Sequence, residues 1–168
     1  MLPLVLVVIA FVPMIAEAVR SAGNERTLRA AGAIEPADDV YGAMQVAYPA
    51  SFAAMIAEAW LRAEPALSLT IAGAVLFGLA KGLKYWAIRT LGSRWTFRVL
   101  VPPGSHRTTN GPYRHLRHPN YLAVAGELTG MALMARARVA GPLAIGLFGA
   151  LMLLRIRVEE RALGQPRG

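Results

Sequence analysis

Gly111-Pro112-Tyr113-Arg114-His115-Leu116-Arg117-His118-Pro119-Asn120-Tyr121 packs two prolines, two tyrosines, two histidines and two arginines into eleven residues, then runs straight into an apolar segment. So many rigid and charged groups serve no core in a soluble loop. A loop at a membrane surface that grips a small polar ligand has a use for all of them. Gly111-Pro112 sets a turn, and Pro119 keeps His118 out of helical geometry, so backbone groups there stay available to a ligand. Tyr113 and Tyr121 offer rings with polar tips, and His115 and His118 offer donors near physiological pH.

The composition around this stretch points to a bilayer. The chain has 168 residues, one domain's worth. Hydrophobic residues make up 55% and charged residues only 17%, greasier than an ordinary globular domain. With no cysteine, disulfides, thiolate metal sites and cysteine nucleophiles are excluded, and no metal site is expected. The net charge of +8 is interleaved with membrane-length apolar runs. That pattern fits attraction to anionic headgroups better than nucleic-acid binding.

A spanning helix needs about 20 mostly apolar residues. Five segments qualify, at about residues 2–19, 40–61, 66–83, 120–135 and 139–156. The expected fold is therefore an all-α integral membrane protein, a single domain over residues 1–168, with a cytoplasmic loop at 84–119 and a C-terminal helical extension. The last two segments are short and separated only by residues 136–138, which reads as a tight hairpin with arginines snorkelling at the turn. Placing residues 20–41, 81–118 and 155–168 on one side collects 15 Lys and Arg against 3 on the other. The positive-inside rule then sets the C-terminus and both charged motifs in the cytoplasm. Ala16-Glu17-Ala18 resembles a signal-peptidase site, but no Lys or Arg precedes the first apolar run, so that helix is expected to be retained. Residues 21–39 read as a short interfacial helix stopped at Gly32. In residues 84–105 aromatics alternate with arginines, which fits either an interfacial belt or a cover over a ligand.

Downstream, Arg155 and Glu159 stand four apart on one helix face. Arg before Glu is the weaker order for such a pair, and Glu near a helix C-terminus opposes the dipole, so the carboxylate is expected to have another use. Three acids, Glu17, Glu58 and Glu127, interrupt apolar runs, where ionisable groups are costly. Glu17 and Glu58 lie near segment ends, where snorkelling explains them. Glu127 lies about 10 Å along the helix from Asn120, placed to meet a phenol or an arginine of the fifth segment.

The Gly111–Tyr121 loop, followed by Arg155 and Glu159-Glu160-Arg161-Ala162-Leu163, resembles the GPYR–RHPxY and R-x3-E-E-x-x-L signatures of the isoprenylcysteine carboxyl methyltransferase family. These are integral membrane enzymes that use S-adenosylmethionine, and the two motifs span roughly the C-terminal third of the chain. The resemblance implies that Tyr113, His118, Pro119, Asn120 and Tyr121 line the cofactor, with a weaker match for His106, Arg107 and Thr108. It further implies Glu159 at the cofactor's methionyl end and Arg155 at the methyl acceptor, both catalytic; Glu127, with no motif behind it, is a second candidate substrate contact by its place in the fourth segment. Ala123 departs from the pattern, which has glycine there. Asn24-Glu25, Gly32-Ala33 and Glu35 are similar to a bacterial subgroup that methylates phenolic lipids of the alkylresorcinol or alkylpyrone type. A phenol with a pKa of about 10 needs help losing its proton, and His115, Glu127 and Glu160 are the candidate relays. The expected partners are a lipophilic small molecule and membrane lipids, with no nucleic acid, at a bacterial inner membrane; the oligomeric state is left open. The alternatives are carboxyl methylation of a prenylcysteine, amine methylation of a phospholipid, a non-catalytic scaffold for anionic lipid, and a nicotinamide-dependent membrane reductase.

Overall fold

The computed structural model describes residues 2–37, 39–62, 67–104 and 108–164, with side chains as far as Arg161. The described residues form five α-helices: α1 (Leu2–Ala30), α2 (Tyr41–Leu61), α3 (Leu67–Leu91), α4 (Pro119–Ala135) and α5 (Ala140–Gly164). Short 3-10 turns lie at Gly92–Arg94 and Gly111–Arg114, and one isolated antiparallel bridge joins Ile34 to Val101.

Two helices run longer than their apolar stretches. The short interfacial helix expected over residues 21–31 is the continuation of α1, because a lone Gly23 does not break a helix flanked by good formers. Gly32 ends it with φ +80°, and the amides of Gly32 and Ala33 close back on Arg29 and Leu28. This is a Schellman stop, for which glycine suits the left-handed position. Likewise α3 continues to Leu91, so residues 84–91, expected as loop, are two further turns of helix. Residues 84–91 hold no glycine or proline to stop it.

Leu2–Ala30, Leu67–Arg94 and Ala140–Arg161 are long and apolar enough to cross a membrane. The other two helices fall short for different reasons. α4 has 17 residues, about 26 Å, against a hydrocarbon layer of about 30 Å. α2 has 21 residues but breaks its apolar run with Gln45, Pro49, Ser51 and Glu58. By length and composition, then, three of the five helices qualify as spans. α1 turns Val8, Val12, Ile15 and Val19 outward, as lipid contact requires. Leu6, Phe52, Phe77, Leu128, Met131 and Phe148 fill the interior.

α3 and α4 make the most extensive helix pair. A Cβ on Gly73 would lie 2.6 Å from the Gly130 carbonyl oxygen, and one on Gly130 would lie 2.8 Å from the Gly73 oxygen. A Cβ on Gly126 would lie 2.9 Å from the Ala80 methyl. Gly126 and Gly130 are thus a small-residue stripe that lets two backbones touch, the usual basis of helix association in lipid. The α4–α5 turn is fixed from α2. Glu58 accepts the backbone N–H groups of Arg138, Val139 and Ala140 at 2.7–3.2 Å, capping α5 from another helix. Glu58 is therefore a buried cap rather than a snorkelling acid.

Gly130→Ala is expected to destabilise the protein by about 1–3 kcal/mol through overpacking. Gly78→Ala, with nothing within 4 Å of its would-be Cβ, should leave stability unchanged or slightly raised. Glu58→Ala should lose about 0.5–2 kcal/mol by removing the cap of α5. Unfolding of the three variants in mixed micelles checks all of this.

Candidate functional site

Gly111 adopts φ +57°, and a Cβ there would strike the Thr90 side chain at the end of α3. The glycine thus satisfies both the turn and the close approach of the loop to α3. Pro119 then begins α4, where its missing N–H and fixed φ suit the first helical position. The result sets Asn120 and Tyr121 in the first turn of α4, facing a cavity of about 560 Å³.

The cavity is walled by one face of each neighbouring helix. α1 contributes Met14, Ala18, Ser21 and Glu25, and α2 contributes Tyr41, Met44, Tyr48 and Pro49, spacings that keep each set on one side of its helix. Lys84, Val124, Phe148, Arg155 and Glu159 complete the helical wall, and residues 94–101 form a strap across it. Tyr113, His118, Pro119, Asn120, Tyr121, Arg155 and Glu159 therefore share one cavity. Thr108 and Glu127 do not line it, and His106 and Arg107 lie outside the described residues.

Tyr121 is the hub of the polar part. Its hydroxyl accepts from Arg155 Nε at 3.1 Å and donates to Glu159 Oε2 at 3.0 Å, so the arginine and the glutamate communicate through the phenol. His118 lies 3.8 Å from Glu159 through Nδ1 and 3.2 Å from Glu160 through Nε2. His115 is exposed outside the cavity. Burial pushes the Tyr113 hydroxyl well above its ordinary value, and the nearby Glu159 charge adds to this against the opposing pull of Arg94, so Tyr113 stays a neutral donor. Two buried atoms in the wall find no hydrogen-bond partner among the described residues: Asn120 Oδ1, an acceptor, and Trp95 Nε1, a donor.

Arg155 is not a loose charge aimed at a substrate. It is 5% exposed, and its Nη1 donates to Asp39 Oδ1 at 3.1 Å, while Nη2 donates to the Phe97 carbonyl. Asp39 also accepts the amides of Tyr41 and Val99, at 3.2 and 3.1 Å. Arg155 thus lines the cavity with its charge balanced by Asp39.

The strap is stitched down by the segment after the first apolar run. Asn24 donates to the carbonyls of Gly92 and Trp95, at 3.2 and 2.6 Å, and Ser21 accepts the Phe97 amide at 2.7 Å. Arg98 pairs with Glu35 at 2.6 Å and stacks over Tyr41. Burial would raise the Glu35 carboxyl, but hydrogen bonds from Arg98 and Arg29 outweigh it and hold the group below its ordinary value. Residues 84–105 thus divide between the two readings of the sequence. Tyr85 and Trp86 face outward as a belt would, whereas Trp95 is 3% exposed and walls the cavity.

Beneath the cavity lies a buried charge cluster. Lys84 Nζ is 2.6 Å from Glu17 and 3.3 Å from Glu127, and Lys81 Nζ is 2.8 and 3.2 Å from the same two carboxylates. Tyr48 donates to Glu127. Neither acid snorkels: Glu17 is 3% exposed and Glu127 fully buried. Tyr48 and Lys84 line the cavity, and Glu127 stands behind them, fully buried and bonded to both. The sequence reading missed Asp39, Tyr48 and Lys84. Of these only Asp39 left a signal, as an Asp just before a helix start.

Long apolar helices around a part-polar internal cavity are the build of an integral membrane protein with a ligand chamber between its helices. By sequence, the chain belongs to the isoprenylcysteine carboxyl methyltransferase (ICMT) family, whose model matches residues 71–165. Membership points to a methyltransferase working in the membrane. The uncharacterized protein YpbQ of Bacillus subtilis is 32% identical over 94% of both chains. An uncharacterized protein of Haemophilus influenzae is 26% identical over 83% of this chain and 82% of its own. No solved structure matches the chain. The family match begins after α2, so the α1 and α2 walls of the cavity lie outside it.

Asp39→Ala is expected to destabilise the fold by about 3–5 kcal/mol, because it leaves the buried Arg155 charge uncompensated. Arg62→Ala, which removes an exposed partner of Glu58, should cost less than about 1 kcal/mol. Denaturation in micelles compares the two.

Proposed function

We propose that the chain is an S-adenosylmethionine-dependent O-methyltransferase acting on a hydroxyl of a membrane-embedded phenolic lipid of the alkylresorcinol or alkylpyrone type. The observation that carries the acceptor class is the charge balance of the cavity. Lys84 is paired with Glu17 and Glu127, and Arg155 with Asp39. That leaves the part walled by α1 and α2 well suited to a neutral hydroxyl and an apolar chain, and poorly suited to a permanent carboxylate.

The residues at the other part fit the methyl donor. Asn120 Oδ1 needs a donor and Trp95 Nε1 an acceptor, and S-adenosylmethionine carries amino, hydroxyl and carboxylate groups that serve as both. Glu159 is partly open and suits an ammonium, and Arg94, also in the wall, suits a carboxylate. The rings of Tyr113 and Tyr121 suit the adenine and the sulfonium. When bound, the donor supplies an already activated methyl group, so the protein's task is alignment and exclusion of water. Tyr121 holds Glu159 and Arg155 in register for that task. The excess of basic residues around the loop and the C-terminus supports a five-crossing arrangement with this site facing the cytoplasm of a bacterial inner membrane.

The test uses purified protein in lipid, methyl-labelled S-adenosylmethionine, an alkylresorcinol and a farnesylcysteine analogue. Label is expected in the resorcinol. Glu159→Ala is expected to lower transfer by at least about 100-fold, on the scale of a lost charged contact to the reacting complex, and to weaken donor binding measured by calorimetry. Label in farnesylcysteine alone would replace the phenolic acceptor with the carboxylate that the family's description names.

A further inference from the structure

We propose that Tyr48 is a catalytic residue that takes the proton of the acceptor hydroxyl, and that Glu127 receives Tyr48's own proton in the same step. The inference rests on the phenolic-acceptor reading above. Tyr48 lines the cavity and donates its hydroxyl to Glu127. It sits one helical turn from Met44, whose sulfur is 4.0 Å from Arg155 Nη1. Tyr48 and the Tyr121–Arg155–Glu159 group therefore line the same cavity. On α4, Glu127 lies about 9 Å beyond Tyr121 along the helix axis.

The cluster explains why Glu127, rather than Glu17, is the end of the path. Both lysines lie closer to Glu17, at 2.6 and 2.8 Å, than to Glu127, at 3.3 and 3.2 Å. Protonating Glu127 strands neither ammonium, because Glu17 still holds both. The groups that face Glu127 are Tyr48 from α2 and Lys81 and Lys84 from α3, with Glu17 of α1 behind the lysines. From α5 the Phe148 ring packs on Tyr48 at 5.2 Å and brings no charge.

The step balances. The acceptor oxygen forms a bond to the methyl carbon, and the carbon–sulfur bond breaks with its electron pair left on sulfur as a neutral thioether. The acceptor's proton passes to the Tyr48 oxygen as Tyr48's proton passes to Glu127. One positive charge disappears at the sulfonium, and the cluster, formerly two ammoniums against two carboxylates, gains one. The interior of the protein keeps the same total charge across the reaction, which spares the apolar surroundings a net change in charge.

The experiment compares wild-type protein with Tyr48→Phe, a substitution that keeps the ring packed on Phe52 and Phe148. With the alkylresorcinol at neutral pH, the variant is expected to lose about 100-fold or more in methyl transfer, the scale of general-base catalysis. Its remaining rate should climb with pH through the acceptor's own titration, unlike that of wild type. A nitro-substituted alkylphenol supplies a second readout without methyl donor. Bound to wild type below its solution titration, it should show the phenolate absorption band, and bound to Tyr48→Phe it should not. Above that titration, where no proton need be removed, the variant should methylate this probe. Resorcinol methylation that survives Tyr48→Phe with an unchanged pH profile overturns the relay and leaves the acceptor reading standing. Label in farnesylcysteine alone overturns both. Loss of transfer even to the ionised probe overturns the relay in favour of a packing role.

Discussion

Where α3 crosses α4, the carbonyl of Gly130 sits so close to Gly73 that a methyl group on either residue would collide with backbone. In lipid there is little hydrophobic gain from pressing two apolar helices together, so close van der Waals contact has to do the joining. The crossing decides what can happen one or two turns away. Lys81 and Lys84 on α3 come within 3.2 and 3.3 Å of Glu127 on α4 only because the backbones approach this closely. Glu17 from α1 then closes the set. Four charges that would each be costly alone in the interior hold one another, and they fix the rotation of α1 about its axis. That rotation points Ser21, Asn24 and Glu25 at the strap.

A second polar tie governs the cavity's other wall. Arg155 of α5 holds Asp39 from the turn before α2, the Phe97 carbonyl of the strap and Tyr121 of α4. One side chain thus draws four separate segments around the cavity. Arginine suits this, since its planar group offers five donors in fixed directions and remains charged. The Arg155–Glu159 spacing, which looks unfavourable as a helix decoration, makes sense here. The two side chains do not pair with each other, and the Tyr121 hydroxyl stands between them.

The sequence was most legible where a single residue type is demanded by local geometry. Gly32, Pro119 and the Gly111-Pro112 turn mark element ends that the structure has, because φ and the missing proline N–H act within a few residues. The grouping of Tyr113 with His118, Pro119, Asn120 and Tyr121 rested on the motif that the loop resembles. What stayed hidden depends on pairs distant in the chain. Nothing in residues 81–84 indicates that two lysines meet an acid on α1, 64 positions before Lys81, and Glu17 and Glu58 read as edge acids because their partners come from other helices. Tyr48 was invisible for the same reason: it sits in an apolar helix, and its partner, Glu127, is 79 residues on. The reach of α1 and α3 was also underestimated, since hydropathy stops at the membrane surface and helix propensity does not.

The unbroken course of α1 has a mechanical consequence. Its 29 residues make a rod of about 44 Å, against a hydrocarbon layer of about 30 Å. A rod longer than the layer projects from it, or leans, and the lean depends on the thickness of the surrounding lipid. The projecting end carries Ser21, Asn24 and Glu25, the residues that anchor the strap over the cavity. Bilayer thickness is thereby geared to the seat of the strap: a thinner or thicker membrane moves the anchor sideways, with α1 as the lever arm.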